Sequence, residues 1–224
     1  MKALAVDLAV SKLTVAAKND DHIVTAVYDI GMKQSETLLP AIEYVLQKAN
    51  LTVNDLEYLT LCRGPGSFTG LRLAFAALKA IQMAQNIPLY GISSLDVYAE
   101  HYQELPFTVL SCIDAKKDRF YAKAFYEGKE LFTEDDYTVE KLSELLSKNA
   151  KGDILICGSD ACLLKKQLKD VLKCSIYTVD FSVTTTDQLF KITENKIKNN
   201  EPPLNDYDGP VYLRASEAEV KLNA

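Results

Sequence analysis

The chain has 224 residues, of which 48% are hydrophobic and 25% charged, and its formal net charge is −6. That length is comfortable for two small domains, and the composition is that of a globular protein. The acidic balance argues against a chain whose main work is gripping nucleic-acid phosphate, and no run approaches the ~18 apolar residues of a membrane span.

The N-terminus "MKALAVDLAV" is too interrupted by Asp7 for a signal peptide and reads as a buried strand. "KLTVAAKND" and "HIVTAVYDI" alternate well enough to be its antiparallel neighbours, turning at "NDD". A helix follows, with Ser35 as N-cap and Leu38, Ile42, Val45 and Ala49 at helical spacing. "LEYLTLC" is a short buried strand, "LRLAFAALKAIQMAQ" a helix and "PLYGIS" a strand, after which Ser94 caps a helix through His101. Three strands followed by strand–helix alternation is the pattern of one half of an actin-like ATPase, a ribonuclease-H-like layered fold.

The pattern then restarts. "FTVLSCIDA", "DRFYAKAFYEG" and "KELFTE" read as strands, followed by a helix at 138–148, the strand "DILICGS", a helix at 160–170, the strand "CSIYTVD" and a helix at 186–198. The expectation is an α/β, two-lobed actin-like fold in which each half is a mixed sheet with flanking helices. Residues 1–105 form the first half and 106–224 the second. The tail "NNEPPLNDYDGPVYLRASEAEV" is broken by proline, contains a strand-like "VYL", and is expected to pack back on the first half.

Cys62, Cys112, Cys157, Cys162 and Cys174 are scattered, without a CxxC pair, and the histidines are His22 and His101. They read as ordinary thiols of a reducing cytoplasm rather than a zinc site. Asp114, Lys116, Lys117, Asp118 and Arg119 make a charged turn between two strands, either a solvated hairpin or a minor contact to tRNA or a partner.

"RGPGSFTGLR", residues 63–72, is the most unusual stretch. Glycine admits backbone angles that other residues resist, and proline fixes one dihedral and removes one amide hydrogen. A helix N-terminus attracts anions, so Gly64, Gly66, Ser67 and Thr69 are weak anion-loop candidates. Neither GxxxxGK[ST] nor GxGxxG is present, and a tight strand-to-helix turn is the other reading. The helix that follows is apolar on nearly its whole circumference, from Leu71 to Ala84. Such a helix is buried all round, either against a partner or between the two halves of its own chain.

"RGPGSFTGLRLAFAALKAI" resembles the signature of the TsaB (YeaZ) family of bacterial threonylcarbamoyladenosine tRNA modification. "MKALAVDLA", "SETLLPAIEYVL", "PLYGISSLDVYA", "CIDAKKDRFYAKAFY" and "PVYLRASEAE" agree in family order, and residues 128–205 are the least distinctive. The resemblance implies a two-half actin-like fold without a working active site. Its implied partners are a TsaD-like transferase, a TsaE-like ATPase and, in isolation, a second copy. It implies tRNA contact only through the complex, no cofactor bound by this chain alone, and ATP or ADP only in the complex. The implied partner face uses the first two helices, for which Leu39, Glu43, Leu46, Arg72, Phe75, Leu78 and Lys79 are candidates.

The residues agree with a pseudo-enzyme. Actin-like ATPases follow the first Asp with glycine and a hydroxyl residue that hold phosphate, and here Leu8, Ala9 and Val10 follow Asp7. Glycoprotease-like relatives need two histidines one helical turn apart for metal, and Gln34 stands where TsaB relatives often carry histidine. No catalytic residue and no metal ligand is therefore assigned. An actin-fold kinase, a glycoprotease-like enzyme and a direct tRNA-binding module are the competing readings.

Overall fold

The structure is a computed structural model that describes residues 1–179 and 185–214. The first sheet is built from β1 (Lys2–Asp7), β2 (Leu13–Asn19), β3 (His22–Tyr28), β4 (Tyr58–Gly64) and β5 (Leu89–Ser93). Helices α1 (Gln34–Lys48), α2 (Phe68–Gln85) and the short α3 (Ser94–Ala99) intervene or follow. The second sheet has β6 (Thr108–Asp114), β7 (Arg119–Tyr126), β8 (Lys129–Thr138), β9 (Ile154–Cys157) and β10 (Ile176–Thr178), with α4 (Val139–Asn149), α5 (Ala161–Leu168) and α6 (Thr186–Lys198).

The two sheets repeat one topology. The first runs β3-β2-β1-β4-β5 and the second β8-β7-β6-β9-β10, read from the antiparallel edge. In each, the opening hairpins are antiparallel, the fourth strand pairs parallel with the first, and the fifth pairs parallel with the fourth. The centre of the first sheet is β1, whose residues Ala3 to Val6 are fully buried. A strand covered on both faces has no polar side to show, so it reads as a continuous apolar run. Edge strand β3 alternates instead, with Val24, Ala26 and Tyr28 on the core and Ile23 and Val27 exposed.

Packing divides the chain differently from the sequence reading. One compact unit contains Met1–Val97 and the described part of Thr184–Val211; the other contains the described parts of Tyr98–Val183 and Tyr212–Ala224. The expected boundary at residue 105 lies in the segment before β6, but Ala99 and Tyr102 already pack with Val109, Phe125 and Cys157. Helix α6, expected in the second half, lies on β1, β4 and β5 of the first sheet. Its attachment is partly polar. The hydroxyls of Thr193 and Thr60 meet at 2.7 Å in full burial, and Lys18 and Tyr58 both donate to Glu194.

Three local expectations also change. α1 begins at Gln34 without a side-chain cap, so Ser35 is inside the helix; tertiary hydrogen bonds of the Gln34 side chain set this start instead. α3 ends at Ala99, short of His101, and Ser93 rather than Ser94 accepts from the Leu95 amide, at 3.3 Å. "VYL" is not a strand; its one ladder-like bond runs from the Val211 amide to the Arg63 carbonyl at 2.7 Å. Residues 215–224 of the expected tail lie outside the described residues.

Removing one partner of the buried Thr60–Thr193 pair leaves an unsatisfied hydroxyl, which costs about 1–3 kcal/mol. Thr193→Val is therefore expected to lower unfolding free energy by that amount. Hydrogen exchange should speed up along α6 and not along α4. Equal acceleration in both helices would show that α6 is not separately fastened.

Candidate functional site

In working ATPases of the class inferred from the strand pattern, the turn after the first strand holds phosphate. Here the β1–β2 turn is filled by the chain itself. The Ser67 amide donates to the Ala9 carbonyl at 2.7 Å. The Gln34 side-chain amide donates to the carbonyls of Val10 and Ser11, at 3.3 and 2.9 Å. From below, the Asp7 carboxylate accepts the Ala9 amide at 2.8 Å.

The glycine loop supplies the fit. A Cβ on Gly66 would lie 2.3 Å from the Ala9 carbonyl oxygen, and one on Gly70 would lie 2.1 Å from that of Leu8. Both positions are glycine because backbone occupies the space of a side chain. Ser67 caps α2 by accepting the Gly70 amide at 3.3 Å, and Thr69 is exposed on its first turn. At Gly64 the same space is taken by the Val211 carbonyl, 2.4 Å from a Cβ. Against the anion-loop reading of Gly64, Gly66, Ser67 and Thr69, the Ser67 and Gly70 amides are spent within the chain, and the loop forms a tight strand-to-helix turn.

Asp7 is similarly occupied. Its other oxygen accepts the Thr185 hydroxyl at 2.6 Å, where Thr185 opens α6, and the buried Cys62 thiol also donates to it. Burial raises the Asp7 carboxyl above its ordinary range, against the lowering effect of those three donors. Burial and then the neighbouring Asp7 charge push the Cys62 thiol well up. A raised thiol is a poor nucleophile, and the hydrogen bonds of this cluster fasten β1 to the start of α6. Among the described residues no group of three or more His, Cys, Asp or Glu is placed to hold a metal ion. No helix among them is long and apolar enough to cross a membrane.

The charged β6–β7 turn is braced within its own unit. Asp114 accepts both the backbone amide and the ammonium of Lys116, each at 2.7 Å. Asp136 pairs with both Arg119 and Arg214.

The second feature is a groove of about 480 Å³ between α1 and α2. Leu38 and Leu39 of α1, and Leu73, Ala77, Ile81 and Ala84 of α2, form most of its apolar wall. α2 is apolar all round because its two sides meet different surroundings. Leu71, Ala74, Phe75 and Leu78 are buried on the first sheet, whereas Ala76, Ala80, Met83 and Ala84 face solvent.

The seven candidate partner residues separate accordingly. Leu39 is 63% exposed, and Glu43 and Arg72 are exposed as well. Lys79 is half-buried, its ammonium on the carbonyls of Asn205 and Asp206 at 2.7 and 3.2 Å. Leu46, Phe75 and Leu78 are corrected, since all three are buried in the core of their own unit. The exposed residues missed in the sequence are Met83, 80% exposed, and the row Ala76, Ala80, Ala84. Their four-residue spacing was the available signal.

Solved structures place this geometry in a class. YeaZ from Pseudomonas aeruginosa matches with a TM-score of 0.76 over 95% of this chain and 99% of its own, at 20% identity. A Bacteroides thetaiotaomicron protein described as having an actin-like ATPase fold and unknown function matches with 0.52 over 84% and 95%, at 10% identity. The fold is therefore that of the actin-like ATPases. The family described as "TsaD: tRNA N6-adenosine threonylcarbamoyltransferase" matches residues 31–199. The tRNA threonylcarbamoyladenosine biosynthesis protein TsaB of Bacillus subtilis (strain 168) is 26% identical over 99% of this chain and 97% of that one. The chain belongs to the TsaD family, on its TsaB (YeaZ) branch.

Two outcomes check the clamp. A methyl group at Gly70 meets backbone rather than a flexible side chain, so Gly70→Ala is expected to cost about 3 kcal/mol, at the upper end for overpacking. Its melting temperature should fall by roughly 6–12 °C; a loss under 2 °C would mean that the turn yields.

Asp7 binds its proton more tightly folded than unfolded, where the ordinary value is 3.8. Its contribution to stability is therefore largest below that value and declines as pH rises through the folded value. Asp7→Asn has no such titration. Denaturant unfolding from pH 3 to 8 should show the variant gaining on the wild type above about pH 4, by at most ~1.4 kcal/mol per pH unit. A constant difference across that range would refute the assignment.

Proposed function

We propose that this chain is a non-catalytic assembly subunit in threonylcarbamoyladenosine biosynthesis on tRNA, a pseudo-enzyme that binds and activates a TsaD-like transferase together with a TsaE-like ATPase. Membership of the TsaB (YeaZ) branch supports the pathway. The observation that carries the reading is the apolar groove between α1 and α2, along which Leu39, Ala76, Ala80 and Ala84 are left exposed. The clamped β1–β2 turn supports the non-catalytic half of it, because the residues around Asp7 are committed to one another.

Physically, the transferase covers this groove with helical surface of its own. The alanines of α2 let a helix approach closely, and α1 and α2 then form half of a helix bundle. A second copy occupies the same face when the partner is absent. ATP or ADP binds only in the complex, and tRNA is reached through the transferase.

Ala80 is exposed on α2, so Ala80→Glu leaves the core untouched while placing a charge in the covered face. Affinity for the purified TsaD-like transferase is expected to fall at least tenfold, about 1.4 kcal/mol, with circular dichroism and melting unchanged. Unaltered affinity in titration calorimetry would remove the groove as the docking site. ATP hydrolysis by the isolated chain that disappears in Asp7→Ala would contradict the non-catalytic reading.

A further inference from the structure

The docking face does not end at α2. After α6 the chain runs along the edge of the first sheet, where the Leu204 amide donates to the Leu89 carbonyl at 2.8 Å. It then makes a tight turn at residues 205–208. The Asp208 amide donates to the Asn205 carbonyl at 3.1 Å, and the Asp208 carboxylate accepts the Asn205 backbone amide at 2.8 Å. Lys79 of α2 ties down the outside of this turn through its two carbonyl contacts. The turn is thus held from within and from α2.

What this fixed turn presents is Tyr207, whose side chain is fully exposed, beside the exposed Asp206. The braced turn fixes the backbone beneath Tyr207 before any contact forms, so less backbone freedom is lost on binding, which favours its use as an anchor. Lys79 lies three residues after Ala76 and four before Met83 on the helix, so the turn borders the exposed face of α2.

Charge indicates what it meets. Two cations of α2 are engaged inside the chain: Lys79 on the turn carbonyls, and Arg72 over the Phe68 ring at 5.7 Å. Asp206 beside the turn and Glu43 on α1 are exposed, and no ion pair is formed by either among the described residues. An aromatic ring and a carboxylate at adjacent exposed positions of one turn suit a guanidinium or ammonium, which stacks on the ring and pairs with the acid.

We propose that Tyr207 and Asp206 form a cation-reading extension of the α1–α2 docking face, receiving one arginine or lysine side chain of the partner protein that covers the groove. The partner's identity rests on the function proposed above; the cation site itself rests on the turn.

The test is titration of the purified TsaD-like transferase into four variants of the full chain. Tyr207→Ala is expected to weaken binding about tenfold, and Tyr207→Phe, which keeps the ring, to leave it unchanged. Asp206→Asn is expected to weaken binding about threefold and to flatten its dependence on salt. Ala80→Glu serves as the groove control. If Ala80→Glu abolishes binding and Tyr207→Ala does not change it, the cation site is wrong and the assembly role stands. If none of the four changes binding, the docking face itself is wrong. If Tyr207→Ala leaves transferase binding intact but reduces self-association of the chain in sedimentation, the occupant is a second copy and the cationic partner is overturned. Tyr207 touches no core, so circular dichroism should be unchanged throughout.

Discussion

The arrangement of the first unit depends on two points where backbone meets backbone, at Gly66 with Ala9 and at Gly70 with Leu8. A side chain at either glycine would push the N-terminal end of α2 away from the first sheet. α2 could then no longer bury Leu71, Ala74, Phe75 and Leu78 on that sheet while turning Ala76, Ala80 and Met83 to solvent. Its position beside α1, and hence the groove, follows from the angle at which the chain leaves β4. The glycines that look like a phosphate loop are therefore explained by backbone packing, and they set the direction of the helix that follows.

The same contacts account for the fate of Asp7. With the β1–β2 turn clamped by Ser67 and Gln34, the carboxylate has no opening toward a ligand, and its partners are the Ala9 amide, the Cys62 thiol and the Thr185 hydroxyl. Burying an acid is costly unless its lone pairs are used, and these donors offset that cost. The result ties the first strand to α6. In this chain the acid at the end of the first strand fastens a helix.

The strand–helix order was legible in the sequence because position in the sheet imposes a period: β1 and β4 are continuous apolar runs, and edge strand β3 alternates. The placement of α6 was not. What attaches it to the first sheet is a set of pairs such as Thr60 with Thr193, 133 positions apart, and short-range patterning is silent about them. Among the candidate residues, the exposure of Glu43 could be read from the amphipathic pattern of α1, and that of Leu39, an apolar residue, could not. Phe75 and Leu78 could not, because on α2 both the core-facing and the solvent-facing sides are apolar and periodicity gives no phase.

Size, rather than polarity, distinguishes the two sides of α2. The side on the sheet carries leucine and phenylalanine, which fill a core; the other carries alanine at 76, 80 and 84. An alanine gains little from burial and loses little by exposure, so a row of them is tolerated by water and still permits close approach of another helix. Met83 adds a flexible, polarizable side chain of the kind that fits irregular surfaces. A face of this composition leaves the helix held to its own core by the leucine and phenylalanine side alone. That division explains how a helix lacking any polar stripe can belong to a folded unit with one of its apolar sides in water.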